Sequence, residues 1–207
     1  MRPRPPDELL DPLKLEPVFI PGPELDRWAR ATFIDPKAKL HNKDHEHLQQ
    51  SEIGWLWTNV TNTRQMLTVV GYAEIPKPPS GIGKWQKERF NYQLWQWFGK
   101  NLDFLITLYA PYAAVCDNIT FCATVEHELY HCGQARDEYD CPKFKKSGKP
   151  AFAIKGHDFE EHIGVVRRYG INASAGKAKQ IFAAAKKRPL VGRARINGVC
   201  GTCAVRF

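Results

Sequence analysis

No stretch of this sequence is apolar for long enough to cross a bilayer: the longest nearly apolar run, Phe104 to Cys116, is broken by Pro111 and falls short of about 20 residues. The opening residues, MRPRPPDELLDPLKLEP, start basic but lack the apolar centre of an export signal, so a cytoplasmic protein with no membrane partner is expected. Internal repeats, heptads and low-complexity tracts are missing, which sets aside solenoid, coiled-coil and disordered-tail readings. Six cysteines in 207 residues, without an export signal, read as reduced thiols or metal ligands rather than as a disulfide framework.

What is present suffices for one core. With 43% of its residues hydrophobic, the chain is expected to form a single domain over 1–207, with a Pro-rich N-terminal segment (1–23) and a basic C-terminal tail ending in CxxC. Lysine and arginine outnumber aspartate and glutamate by 30 to 22, and the net charge of +8 permits contact with a polyanion without demanding it.

Local patterns place the elements. Leu25, Trp28 and Ala29 share one face of a short helix over Glu24 to Thr32. IGWLWTNV and MLTVVGYAEI, joined by a polar connector, predict a hairpin between Glu52 and Ile75. KPPSG then breaks the chain, and KWQKERFNYQLWQW predicts a partly buried amphipathic helix over Lys84 to Trp97, ended by Gly99. DFLITLYA, Asp103 to Ala110, is a strand. The next helix is capped by Asp117 or Thr120 and closed by Gly133. A further helix is expected from about His157 to Tyr169, then a basic helix over Ala175 to Lys187 and a strand-like tail, ARINGVCGTCAVRF.

The chemistry concentrates in TVEHELYHCG, Thr124 to Gly133. Residues four apart on a helix lie one turn above each other, so His127 and His131 can present two imidazoles to one zinc ion. Glu128, about 100° round the axis, then sits where a carboxylate can take a proton from activated water and pass it to a leaving amine. The competing reading is a helix with two structural histidines. The apolar neighbours Val125 and Leu129 and the preceding strand favour the metal. A catalytic zinc needs a third protein ligand, and GHDFEEHIGVVRRYG offers His157 first, with Glu161 or Glu160 as alternatives. Asp158 and the unused carboxylates suit either support of an imidazole or a helix first turn.

With these residues in view, the chain resembles the metallopeptidases encoded in bacteriophage and prophage genomes, zincin-like and distantly similar to SprT-type proteases. The resemblance runs from about Trp28 to the C-terminal cysteines, through HNKDHEHL, IGWLWTNV, GKWQKER, DFLITL, FCATVEHELYHC, DEYDCPKF, GHDFEEHIGVVRRYG and CGTC. It implies an α+β, zincin-like fold: a mixed β-sheet packed against the helix of His127, Glu128 and His131, with an edge strand free to hold an extended peptide. DFLITL is the strand expected beside that helix, and the helix starting at His157 is expected to complete the site. His162 stands where an aromatic such as Phe is expected.

Other features are weighed against plainer roles. Cys200 and Cys203 form half of a zinc knuckle or a redox pair; a separate structural zinc would need Cys132, Cys141, His45 or His47. His41, His45 and His47 read as hydrogen-bonded or exposed histidines. Tyr169 is the candidate oxyanion donor, whereas Tyr130 is expected to pack. KAKQIFAAAKKRPLVGRAR, with Lys177, Lys179, Lys186, Lys187, Arg188, Arg193 and Arg195, suits nucleic-acid phosphates but reads first as a solvated helix face. The expected function is zinc-dependent hydrolysis of a protein or peptide substrate. A non-catalytic zinc-containing host-interaction protein and a DNA-binding protein with a structural metal are its rivals.

Overall fold

A computed structural model describes residues 1–14, 16–64, 66–157, 178–194 and 199–202. In chain order the main elements are β1 (Phe19–Pro21), α1 (Pro23–Ala29), a π turn (Arg30–Ile34), a 3-10 segment (Lys43–Gln50), β2 (Ile53–Thr58), β3 (Thr63–Arg64) and β4 (Leu67–Glu74). They continue with α2 (Lys84–Phe98), β5 (Phe104–Tyr109), α3 (Ala110–Val115), α4 (Asn118–His131), β6 (Cys132–Gln134), β7 (Phe152–Ile154), α5 (Ala178–Ala185) and β8 (Val199–Cys200). The architecture is mixed α+β. Among the described residues no helix is long and apolar enough to cross a membrane.

The large sheet runs β1-β2-β5-β4-β3, with β8 added to β4. β5 is parallel to β2, with Ile53 opposite Phe104, and antiparallel to β4, with Gly71 opposite Leu108. The predicted hairpin between β2 and β4 is therefore not formed; β5 lies between them, and β4 turns back only onto the short β3. The reason is burial. Every residue of β2 is buried, as a strand paired on both edges and covered on both faces must be, and the apolar run of β5 is the partner that supplies the second edge.

One face of the sheet carries Trp55, Trp57, Phe104, Ile106, Leu108 and Ala73, in register with the period of two of a pleated strand. Leu25 and Ala29 of α1 and Phe121, Val125 and Leu129 of α4 close over it. Phe121 meets both Trp28 and Trp57, with ring centroids 5.3 and 6.3 Å away. Trp57 also donates its indole N–H to Glu24 Oε1 at 2.8 Å, so no polar atom of that ring is stranded. Truncating such a buried aromatic costs about 3–5 kcal/mol, so this contact set helps to anchor α4.

One helix meets expectation, and another differs from it at its end. α2 has the predicted start and stop: Gly83 N–H donates to Gln86 Oε1 at 2.7 Å, and Gly99 takes φ 64°. It is partly buried: Phe90, Leu94, Trp97 and Phe98 are half-buried and the remaining residues are exposed. At about 100° per residue, Phe90 and Trp97 fall on one face while the exposed Trp85, Tyr92 and Trp95 fall on the other, and Trp97 meets Phe19 of β1 with ring centroids 6.5 Å apart. α4 is capped by Asp117, whose carboxylate accepts from Thr120 N–H at 2.8 Å. Gly133 does not close it. Cys132 turns directly into extended backbone, and β6 pairs antiparallel with β7, with Gly133 opposite Ala153.

The 3-10 segment buries His45, and among the described residues neither of its ring nitrogens finds a hydrogen-bond partner. Its ring packs edge-on to Tyr130, and Glu126 Oε1 stands 3.8 Å away. Burial, then the neighbouring His47, pushes the His45 imidazole down to about 4. A histidine neutral in the fold but chargeable in the unfolded chain contributes stability that is complete above about pH 6.5 and is lost as pH falls toward 4. His45→Phe should therefore flatten the acid limb, recovering about 3 kcal/mol of the wild-type loss between pH 7 and pH 4. Urea unfolding at the two pH values measures it; an equal loss in both proteins would rule His45 out.

Candidate metal centre

α4 presents His127 and His131 on one face, as the spacing requires, and their Nε2 atoms lie 3.2 Å apart. His157 arrives from outside the helix. The β6–β7 pairing brings Lys155 against the end of α4, where its N–H donates to the His131 carbonyl at 2.9 Å and its carbonyl accepts from His131 Nδ1 at 2.7 Å. Two residues further on, His157 Nε2 stands 3.3 Å from His127 Nε2. Its ring centroid lies 5.2 Å from those of both His127 and His131.

These separations suit one small cation. Zinc–nitrogen bonds of about 2.0–2.1 Å in tetrahedral geometry put neighbouring nitrogens about 3.3 Å apart. His131 is also in the right tautomer: with Nδ1–H committed to the Lys155 carbonyl, the neutral ring turns its Nε2 lone pair into the site. Burial lowers the His131 pKa, but contacts with Cys200 and the Lys155 carbonyl outweigh it and leave the imidazole above its ordinary value in the metal-free chain.

Glu128 lies on the opposite side of α4 from solvent, 1% exposed. Its side chain rests on β4 where that strand has no side chain: a Cβ at Gly71 would come within 2.5 Å of Oε1 and 2.9 Å of Cδ and Cγ. Burial first, then Cys200 beside it, pushes the Glu128 carboxyl up to about 8. The strand against the motif helix at this point is β4. The expectation that DFLITL would fill that place, with a free edge, is overturned: β5 is paired on both sides, and its backbone hydrogen bonds are used within the sheet.

One participant was not foreseen. Cys200 Sγ stands 3.3 Å from His131 Nε2 and 3.5 Å from Glu128 Oε2, and His127, His131 and Cys200 form the metal-capable group among the described residues. The CxxC motif flagged Cys200 as a ligand type, but no local spacing ties it to a helix about seventy residues earlier. Glu161, Tyr169, Glu160, Asp158, His162 and Cys203 lie outside the described residues. Tyr130 accepts from Asn42 Nδ2 at 2.8 Å and donates to Asp44 Oδ2 at 3.1 Å, so its hydroxyl is engaged with the 3-10 segment. His47 Nε2 bonds the Cys132 carbonyl, Cys132 is buried with its thiol pushed well above the ordinary range, and Cys141 is exposed. Among the described residues, Cys132, Cys141, His45 and His47 form no group of three ligand atoms close enough to hold a metal ion.

The fold and this cluster define an α+β protein with a candidate metal centre on a helix. The sequence model of a family described as "Putative phage metallopeptidase" matches residues 26–186, most of the chain, and the protein belongs to that family. No curated protein and no solved structure matches.

The contact between Glu128 and Gly71 generates a prediction. Gly71→Ala should lower stability by about 1–3 kcal/mol, because a buried carboxylate or the strand has to move. An unchanged urea midpoint would mean that Glu128 does not rest on β4.

Proposed function

We propose that the protein is a zinc-dependent peptidase in which His127, His131 and His157 hold the metal and Glu128 carries the proton, within a zincin-like arrangement of mixed sheet and motif helix. The observation that carries this reading is the convergence of three imidazole nitrogens beside a buried carboxylate. When bound, zinc supplies the Lewis acidity that makes water reactive near neutral pH and polarises a carbonyl.

The chain's own residues do the rest. The Lys155 carbonyl fixes the orientation of His131, as supporting carbonyls do for metal-bound imidazoles. Glu128 is held at one position by the bare backbone of Gly71, and its burial raises its proton affinity into the range where a group can both take and return a proton near pH 7. It would accept a proton from water as the peptide bond is attacked and deliver it to the departing amine. The cleft beside the histidines, lined among others by His47, Tyr130 and Lys155, has a volume of about 1240 Å³. That exceeds the roughly 300–1,000 Å³ of small-molecule sites and suits a length of polypeptide.

A rival reading, a non-hydrolytic protein with a structural metal, draws on Cys200 Sγ lying at the cluster, since structural zinc sites have four protein ligands. The described part of the basic segment, including Lys186 and Arg188, is exposed, and its charge alone supports no nucleic-acid partner.

Elemental analysis of protein purified without added zinc should give about one zinc per chain, lost in His127→Ala and in His157→Ala. Glu128→Gln should keep the metal and lose about 10²–10⁴-fold in hydrolysis of an unfolded protein. Zinc retained when His127 and His131 are both replaced by alanine, or undiminished hydrolysis by Glu128→Gln, would sink the reading.

A further inference from the structure

The residues Val199 to Thr202 are anchored. Gly201 N–H donates to the Gly71 carbonyl at 2.7 Å, Ala73 N–H donates to Thr202 Oγ1 at 2.5 Å, and that hydroxyl faces the Ala73 carbonyl at 2.9 Å. Gly201 and Thr202 are buried, and a Cβ on Gly201 would meet Tyr72 and Val69 atoms at 2.9 Å. β8 runs parallel to β4, with Val199 opposite Val69 and Cys200 opposite Gly71, the residue against which Glu128 rests.

A strand held this way fixes its cysteine. The ligand atoms of His127, His131 and Cys200 all lie within 4.8 Å of one another, and the sulfur is 3.3 Å from His131 Nε2. Zinc–sulfur bonds of about 2.3 Å beside zinc–nitrogen bonds of about 2.0–2.1 Å put the two ligand atoms about 3.5 Å apart, close to the spacing present. Cys200 also lies beyond residues 26–186, so the family match assigns it no role.

We propose that Cys200 is a further ligand of the metal held by His127 and His131, delivered by β8, and that it keeps the site closed until β8 leaves β4. The inference rests on the metallopeptidase reading. A catalytic zinc takes three protein ligands and leaves one position open; where His157, 3.3 Å from His127, also binds, the Cys200 sulfur takes the fourth position and no place remains for water. β8 also occupies the backbone of β4 beside Glu128, where an extended peptide would add as a strand. Substrate and β8 therefore compete for the same hydrogen-bonding groups, and the movement that admits a peptide removes the sulfur.

Cobalt(II), added alone to the full-length metal-free protein, tests this directly. Wild type should show a thiolate-to-cobalt charge-transfer band in the near ultraviolet. Cys200→Ala should lose it while keeping the visible bands of bound cobalt, and Cys141→Ala, whose thiol is exposed, should retain it. Zinc-loaded Cys200→Ala should cleave casein about tenfold faster than wild type, the amount a closed form hides when it outnumbers the open one by about ten to one, and adding Glu128→Gln should abolish the gain.

Cobalt bound without the band in wild type, or a band that survives in Cys200→Ala, overturns the inference and leaves the peptidase reading standing. Failure of wild type to bind cobalt overturns both. Loss of the band with no gain in cleavage makes Cys200 a permanent structural ligand and removes the closed state. Should Cys200→Ala fail to fold, counting reactive thiols in wild type decides the ligand question: zinc should protect one thiol, mapped to Cys200, that chelation exposes, and equal reactivity would refute the assignment.

Discussion

The contact on which the site depends is the laying of a buried carboxylate across a bare stretch of strand. Any side chain at Gly71 would collide with Glu128, so the absence of one sets how deeply α4 can sink onto β4. Once Glu128 faces the sheet, helical geometry leaves His127 and His131 pointing along the cleft. The depth is fixed from the other end by Phe121, clasped between Trp28 and Trp57. Core packing and site geometry are thus one constraint, and loosening either would shift the imidazoles.

A second constraint joins distant parts of the chain. The Lys155 main chain binds His131 twice, once through the backbone at the end of α4 and once through the imidazole. This is possible because α4 passes straight into β6 instead of ending in a left-handed turn, so that β7 and the residues after it are delivered in register. The same two hydrogen bonds that satisfy the helix end orient a candidate ligand and bring His157 within reach of His127.

What could be read from the sequence follows this division. Asp117 as cap and the His127–His131 spacing depend on contacts a few residues apart, and Asp117 accepts from Thr120 N–H while the two imidazoles share a face; His157, offered on ligand chemistry, lies 3.3 Å from His127 through their Nε2 atoms. Strand neighbours depend on competition across the whole chain: β2 and β4 each look like half of a hairpin, yet β5 offers β2 a second apolar edge and takes the place between them. Gly133 carries the usual mark of a helix stop, but β7 captures the next residues before any turn is needed. The role of Gly71 had no local signal either, because a glycine in a strand says only that something approaches closely, not what.

Hydrogen counting at the buried end of Glu128 ties the tail to the chemistry. Thr202 Oγ1 accepts from Ala73 N–H and has a single hydrogen of its own, yet both the Ala73 carbonyl, at 2.9 Å, and Glu128 Oε2, at 3.3 Å, lie within its range. If Glu128 is ionised, the threonine hydrogen can serve Ala73 while Glu128 Oε2 accepts from the Cys200 thiol, 3.5 Å away. If Glu128 is protonated, its own hydrogen passes to Thr202 Oγ1, the threonine hydrogen passes to Ala73, and every group is satisfied. The tail thus offers the carboxyl a hydrogen-bond partner in either form, Cys200 when it is ionised and Thr202 when it is protonated, while burial raises its proton affinity. Departure of β8 would remove the threonine and the cysteine together and open the carboxyl to solvent, so the strand lying on β4 sets the surroundings of Glu128.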